Sequence, residues 1–458
     1  MILFFYNCSG GVSIKTLIKN GVIVNYDSTI KGHILVENGV IKRIFSKEYE
    51  GLNNDFEELL KKSYDDLLGE CEVIDAEGNF IFPGFIDAHT HPGLPEDLGF
   101  YKETDDFYTE TKAALIGGTT TIVDFAEQEK GQRLIDALNK RKKRYEGKAN
   151  CKYAFHVAIT EVQDDLYNQL VEIKNEGVNS VKLYTTYGMK LGNDHILKVM
   201  DCCSKLNMVV LVHCEEDSII NYCKDNLNYS KQRPWQAEQT MVNTIINFSR
   251  LTDCTCYICH VSSKESAHAI KNAKEQGVKV YMETCPQYLI LNSDKYSTPS
   301  AEMTKFILSP PLREKEDNEA LIKACLEGIT DVISTDHCAF LYKEHKEKYF
   351  KDLNKAAKGI PGIQLRVSLI YDLLVEKYGL NPKDLVKLLS YNPAKILSLE
   401  DRGYIKEGNS ADIVIWEREK FKVTMDIIKE GTDYSPYEGM ELTGRPKYVF
   451  INGQAIKG

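Results

Sequence analysis

The chain lacks any apolar run near the roughly 18 residues that a membrane-spanning helix needs, so no membrane partner is expected. It also lacks a positive excess. Its 57 Lys and Arg stand against 67 Asp and Glu, a formal net charge of -10 over 458 residues, which argues against a nucleic-acid partner. The opening Met1-Ile-Leu-Phe-Phe-Tyr is too short for a signal-peptide core and has no basic flank, so a cytoplasmic location is the expectation. There is no low-complexity linker and no short internal repeat. Cysteine is not scarce, but its count of 13 is odd. Most cysteines lie in stretches that read as strands or helices, which suits buried, reduced thiols better than a disulfide frame. Cys256-Tyr-Ile-Cys-His260 matches the spacing of c-type haem attachment. That segment reads as a buried strand, however, and His260 fits better as a ligand at its end.

What is present is a core and a rhythm. Hydrophobic residues make up 43% of the chain, and the length suggests one large domain with a smaller one. The first ~45 residues read as short strands joined by Asn-Gly turns, at Asn20-Gly21 and Asn38-Gly39. Residues 47–72 break this pattern, with Phe56, Leu59, Leu60, Tyr64, Leu67 and Leu68 at helical spacing. They read as an inserted amphipathic helix packed on the small domain. From about residue 80 the pattern becomes strand, loop, helix. Candidate strands are 80–87, 119–125, 152–159, 178–185, 208–213, 255–260, 278–283 and 331–336. Helical stretches at 131–146, 194–206, 264–276 and 315–327 lie between them. Such a series over roughly 300 residues points to a (β/α)8 barrel. After Ala394 short strands return at Ala411–Trp416 and Lys447–Gly453. The expected architecture is therefore a barrel over 83–394 and a small β-sandwich domain from 1–82 with 395–458.

Polar, metal-capable residues recur at the ends of the apolar runs. His89 and His91 close Phe80-Ile-Phe-Pro-Gly-Phe-Ile-Asp-Ala-His-Thr-His91. Lys182 lies in Val178-Asn-Ser-Val-Lys-Leu-Tyr184. His213 ends Met208-Val-Val-Leu-Val-His, His260 ends Thr255-Cys-Tyr-Ile-Cys-His, and Asp336 ends Asp331-Val-Ile-Ser-Thr-Asp. In parallel barrels chemistry gathers at the carboxyl ends of the strands. Two residues apart on a strand, His89 and His91 share a face and can grip one metal. Four imidazoles suit Zn or a similar divalent ion. Asp336 reads either as a ligand or as the cap of a following helix, and its histidine neighbours on the rim favour the ligand. His337 should face away. His33, His156, His195, His268 and His345 read as structural or surface residues. Lys182 is the odd member, because an ammonium has three donors and no acceptor. Three readings remain for it: an amine modified into an anion, a salt-bridge partner, or a catalytic amine with a shifted pKa.

These motifs resemble those of the dihydropyrimidinase/hydantoinase branch of the amidohydrolase superfamily, over nearly the whole chain. The similarity rests on Pro83-Gly-Phe-Ile-Asp-Ala-His-Thr-His91, Gly117-Gly-Thr-Thr-Thr-Ile-Val-Asp-Phe125, His260-Val-Ser-Ser-Lys-Glu265 and Glu283-Thr-Cys-Pro-Gln-Tyr-Leu289. Ser309-Pro-Pro-Leu-Arg-Glu-Lys-Glu-Asp317, Thr335-Asp-His-Cys338, Asn392-Pro-Ala-Lys395 and Ser435-Pro-Tyr-Glu-Gly-Met-Glu-Leu-Thr-Gly444 add to it.

The resemblance implies that His89, His91 and Asp336 bind one metal, that His213 and His260 bind a second, and that N6-carboxylated Lys182 bridges the two. It favours Zn, a homotetramer, a small cyclic amide or ureide as substrate, and a place in pyrimidine degradation. The implied reaction is hydrolytic ring opening to an N-carbamoyl amino acid. Asp336 would move a proton from attacking water to the leaving nitrogen, Tyr187 would hold the oxyanion, and the Ser309 main chain would contact the substrate's imide. There are departures. The family's usual Met-Ala-Tyr-Lys is here Thr185-Thr-Tyr-Gly188. Its Ile-Pro-Asn-Gly is here Ala356-Ala-Lys-Gly359, so Lys358 stands where an asparagine mainly offers its main chain to substrate. The loop Pro92–Asp97 is also unusual. Allantoinase, dihydroorotase and phosphotriesterase-like chemistries use similar sites, but the Ser309 and Ser435 motifs disfavour them. The non-enzymatic collapsin-response mediator proteins share the branch but have lost metal ligands, and here every ligand position is filled.

Overall fold

The computed structural model describes residues 15–46, 71–93, 106–226 and 228–457. The expected helix near 47–72 lies outside them, except that Cys71 and Glu72 begin a strand. Residues 94–97 of the unusual loop are also outside. The amino-terminal strands are β1 (Lys15–Val24), β2 (Thr29–Glu37), β3 (Val40–Phe45), β4 (Cys71–Asp75) and β5 (Phe80–Pro83). The next eight are β6 (Phe85–Thr90), β7 (Thr119–Glu127), β8 (Lys152–Ala158), β9 (Ser180–Tyr184), β10 (Val209–His213), β11 (Cys256–Ile258), β12 (Val280–Thr284) and β13 (Val332–Ile333). Three more follow, β14 (Ile413–Lys422), β15 (Glu441–Ile451) and β16 (Gln454–Lys457).

Strands β6 to β13 lie in sequence order in one sheet, each parallel to its neighbour. β13 is too short to pair fully with β6. Backbone bonds beyond it draw the edges together: Asp336 N donates to His89 O at 3.0 Å and His91 N to His337 O at 2.9 Å. The buried Arg366 guanidinium donates to Ile86 O and Ile333 O at 3.0 Å each, stitching β6 to β13. The result is a nearly closed parallel barrel. The helices Leu134–Tyr145, Asn193–Lys205, Lys264–Glu275 and Lys315–Leu326 fall on the stretches where helical spacing was read.

The expected first barrel strand, 80–87, divides at Gly84. Phe80–Pro83 pairs antiparallel with β14, Ile81 opposite Ile415, and belongs to the other sheet. A Cβ on Gly84 would lie 2.1 Å from Thr120 Oγ1, so only glycine lets the chain cross so closely between sheets. That second sheet is mixed and is built from both ends of the chain, in the order β16-β15-β14-β5-β1-β2-β3, with β4 also on β1. Ile18, Ile23, Ile34, Ile81, Ile413 and Phe450 bury its core. One turn reading needs correction. Asn38-Gly39 does form the two-residue turn, with φ of 50° and 78°. Asn20-Gly21 instead lies inside β1, where the pairing register with β2 slips between Ile18 and Gly21. Asn20 in the left-handed region there makes a bulge, not a hairpin.

Alternation along the barrel strands decides what enters its interior. Ile86, Val123, Phe125, Val209, Leu211, Tyr257 and Cys259 form one interior cluster. Val181, Leu183, Val210 and Val212 belong instead to the outer layer packed by the helices. Lys182, between Val181 and Leu183, therefore points inward, and so does His213, which continues the parity of Val209 and Leu211. Among the described residues no helix is long and apolar enough to cross a membrane, and every described cysteine is a free thiol.

Candidate active site

A cavity of about 920 Å3 has a lining that takes in His89, His91, Lys182, Tyr187, His213, His260, Ser309, Asp336 and Lys358. The structure thus brings every nominated site residue to one place, at the carboxyl ends of the barrel strands.

Asp336 Oδ1 lies 3.2 Å from His89 Nε2 and 3.1 Å from His91 Nε2. No helix begins directly after Asp336, the next one starting at Tyr342, so the alternative of a helix cap has nothing to cap. Its position is set from β6: Thr335 N and Oγ1 donate to the buried Asp87 carboxylate at 3.0 and 2.7 Å. The His89 ring is held from the far side, its Nδ1 2.8 Å from Glu283 Oε1. Glu283 also accepts from His260 N at 2.9 Å and from Tyr257 Oη at 2.7 Å. His89, Cys259 and Glu283 also bring ligand-type atoms within 4.8 Å of one another. There, however, His89 Nδ1 and the Glu283 carboxylate are already hydrogen-bonded, so we read that group as support for the histidine.

His213 has a matching support. Its Nε2 lies 2.7 Å from Glu215 Oε2, and Glu215 is clasped by Arg233, with Nη2 at 2.5 Å and Nε at 3.1 Å. In both histidines a carboxylate takes one ring nitrogen as donor, which fixes the tautomer and leaves the other nitrogen as an acceptor. The His260 ring stands 4.5 Å from that of His213 and 5.5 Å from that of His89, centroid to centroid. Its buried Nδ1 has no hydrogen-bond partner among the described residues. Burial lowers the pKa of His89, His213 and His260, and for His260 the neighbouring His213 and Lys182 lower it further. Each lowering favours the neutral imidazole, the form that binds metal. Burial alone would raise the Asp336 carboxyl, but His89 and His91 outweigh it and hold it below the usual range.

Lys182 is buried at 1% exposure. Its Nζ donates to Cys259 Sγ at 3.0 Å and lies 5.2 Å from the Phe125 ring and 5.4 Å from the Tyr184 ring. Among the described residues no carboxylate stands within ion-pair distance of it, so the salt-bridge reading finds no partner here. Tyr187 packs its ring 5.3 Å from that of His213 and beneath the Arg233 guanidinium. Arg233 Nη2 donates to Tyr187 Oη at 3.3 Å and the Ser309 hydroxyl interacts with the same phenol; with its oxygen used as an acceptor, the phenol can turn its hydrogen to another group. Burial raises the phenol's pKa, so the proton stays in place. Ser309 is held by Tyr229, whose hydroxyl bonds Leu308 O at 2.9 Å and lies 3.3 Å from Ser309 Oγ.

Three of these residues adopt positive φ without being glycine: Tyr187 at 70°, His260 at 37° and Asp336 at 53°. Such conformations cost of order 1–3 kcal/mol each and persist where the surroundings impose them, often at functional sites. His337 and His156 stay out of the cavity. His337 Nδ1 accepts from Gly362 N and Ile363 N, and His156 bonds Ser180 Oγ and Ala88 O.

Sequence reasoning missed Glu215, Glu283, Arg233 and Cys259. Glu215 carried a usable signal, two residues after His213. Glu283 opened a quoted motif. Arg233 carried none.

The set fits divalent metal. Four imidazoles and a carboxylate converge, the His89 and His213 rings held from behind by Glu283 and Glu215, and an orphaned buried nitrogen on His260 lies among them. The profile of the amidohydrolase family matches residues 80–456. The chain is 31% identical to the D-hydantoinase of Ralstonia pickettii over 455 residues, covering 96% of this chain and 94% of that protein. It is 32% identical to the D-hydantoinase of Geobacillus stearothermophilus over 454 residues, 96% and 92% of the respective chains. Among solved structures, dihydropyrimidinase from Brevibacillus agri superposes with a TM-score of 0.89 at 30% identity, covering 97% of this chain and 95% of that one.

Proposed function

This chain belongs to the amidohydrolase family, and from that premise we propose that it is a cyclic amidohydrolase. It opens the ring of a hydantoin or dihydropyrimidine to the N-carbamoyl amino acid. The observation that carries the reading is the single cavity in which His89, His213 and His260, each favoured as the neutral imidazole, meet His91, the Asp336 carboxylate and the buried Lys182 amine.

His89, His91 and Asp336 would hold one divalent ion and His213 with His260 a second, donor sets whose imidazole nitrogens suit Zn. Lys182 enters as its N6-carboxylated form. That change, addition of CO2 to the neutral amine with release of a proton, would turn a buried cation that has no carboxylate partner among the described residues into an anion that could serve as a metal ligand. When bound, such ions lower the pKa of water toward 7 and polarise a carbonyl. The remaining work falls to the chain. Tyr187 donates its free phenol hydrogen to the oxygen that becomes negative as water adds to the ring carbonyl. Asp336 takes a proton from that water and returns it to the ring nitrogen as the C–N bond breaks, a base turned acid. Main-chain groups at Ser309 and Lys358 orient the imide. Glu215, Arg233 and Glu283 keep the imidazoles and the phenol in register.

On the resemblance alone we extend the reading to a homotetramer, a cytoplasmic location and a role in pyrimidine degradation. We also propose a barrel over 83–394 and a smaller unit from 1–82 with 395–458, a division supported by the change of sheet at Gly84. The test is turnover of dihydrouracil, hydantoin, allantoin and dihydroorotate side by side on metal-loaded protein. The reading expects ring opening of one of the first two. Activity on allantoin or dihydroorotate alone would replace it.

A further inference from the structure

Among the described residues, the side chain of Lys358 has no counter-ion. Its Nζ donates to Asn354 O at 3.0 Å, and among the described residues no carboxylate lies within ion-pair distance. An ammonium carries three donors, and this bond uses one of them. The charged groups around it include Arg233, Asp352, Glu215 and the buried Lys346. Arg233 repels it. Asp352 is paired with Lys355 at 2.9 Å, and Glu215 is taken up by Arg233 and His213. Lys358 is half-buried and lines the same cavity as the candidate metal ligands.

Its place relative to the ring is also fixed. The fully buried Lys346 donates to Ile307 O at 2.8 Å and to Ala357 O at 2.9 Å, and Gly359 N donates to Ile307 O at 3.2 Å. The segment 356–359 is therefore clamped to the chain just before Ser309. A ring held at the Ser309 main chain lies within reach of Lys358. The cavity, at about 920 Å3, falls in the range of sites that take ligands of drug size, roughly 300–1,000 Å3. It has room for a substituent beyond the ring. Two acidic groups, Glu127 and Glu161, line the cavity from the ends of β7 and β8. With Lys130 also in the lining, these two carboxylates make their side the less favourable one for a negative substituent.

We propose that Lys358 forms a subsite for a carboxylate carried on the ring's side chain, so that the preferred substrates are cyclic ureides with a short acidic substituent. The products are then N-carbamoyl derivatives of dicarboxylic amino acids. The subsite rests on the ring-opening reading above and names its substrate class. The carboxylate supplies a counter-ion, and a hydrogen bond between charged groups is stronger than one between neutral groups. Burial lowers the pKa of the Lys358 amine to about 8, so near neutral pH the group is still largely cationic.

The test compares hydantoin-5-propionic acid with its isosteric amide, hydantoin-5-propionamide, with dihydrouracil as reference. Metal-loaded wild type, Lys358→Met and Lys358→Arg are used. Wild type should favour the acid over the amide at least tenfold in kcat/KM, mainly through KM. The Met variant should bring the ratio near one, and the Arg variant should keep it. A wild-type ratio near or below one, or a preference that survives in Lys358→Met, overturns the subsite. If dihydrouracil is opened and the acid is not, the subsite fails while the reaction stands. If none of the three rings is opened, the reaction reading fails and the subsite falls with it.

Discussion

Tyr187→Phe removes one oxygen from the candidate site and almost nothing else. The ring keeps its packing against His213 and under Arg233, whose guanidinium carbon lies 5.1 Å from the ring centre. Phenylalanine adopts the same left-handed backbone at φ 70° with a penalty like that of tyrosine, so strain does not change. The hydrogen bond lost to Arg233 is a long one, 3.3 Å from Nη2, and the phenol's interaction with the Ser309 hydroxyl goes with it. Arg233 is not orphaned, because Glu215 still accepts from it at 2.5 and 3.1 Å. The stability loss should therefore sit at the low end of about 0.5–1.5 kcal/mol for one neutral bond. Catalysis should suffer far more. Loss of one oxyanion donor costs about 2.7–4 kcal/mol, which at about 1.4 kcal/mol per decade is a drop of roughly 10²–10³ in kcat. The donor acts on charge that develops only in the transition state, so KM should change little. Steady-state kinetics on dihydrouracil, metal analysis and thermal unfolding of the same preparation separate these effects. A kcat within threefold of wild type at full metal load would refute the assignment of Tyr187 as the donor.

Lys182→Ala should lose both metal and activity, and added bicarbonate should not restore either; retained turnover with a full metal complement would sink the bridging role. Glu283→Gln should weaken metal binding about 10–100-fold by loosening the His89 ring, read by chelator competition, and an unchanged affinity would mean the carboxylate does not support that ligand. For Lys358, whose amine burial lowers to about 8 with Arg233, Asp352, Glu215 and Lys346 among its charged neighbours, the sign is simple. The ammonium is present below that pH and lost above it, so the acid-to-amide ratio in kcat/KM should hold steady up to about pH 8 and decline beyond. A ratio flat to pH 10 would remove Lys358 as its source. In the substrate panel, dihydrouracil or hydantoin should open where allantoin and dihydroorotate do not.

Much of the barrel was legible because it follows from local pattern. The apolar runs at 119–125, 152–159 and 208–213 are strands near those bounds, since buried parallel strands read as continuous hydrophobic stretches. The first run misled, because Phe80–Pro83 and Phe85–Thr90 are equally apolar yet serve different sheets. Only the close approach to Thr120 at Gly84 tells them apart. Asn20-Gly21 misled for a similar reason. The dipeptide favours positive φ, but a bulge and a turn both use it.

By itself the sequence determined the strand-end positions of His89, His91, Lys182, His213, His260 and Asp336. Alternation and run length act between near neighbours, and the family resemblance then named their expected partners. Tertiary structure alone decided what stands behind them: Glu283 against His89, Glu215 with Arg233 against His213 and Tyr187, Cys259 beside Lys182, and Asp87 under Thr335. These contacts join separate strands and loops, and Asp87 meets Thr335 across 248 positions. Hydrogen bonds of that kind depend on angstrom-scale distances between elements, and no periodicity along a single chain encodes such distances.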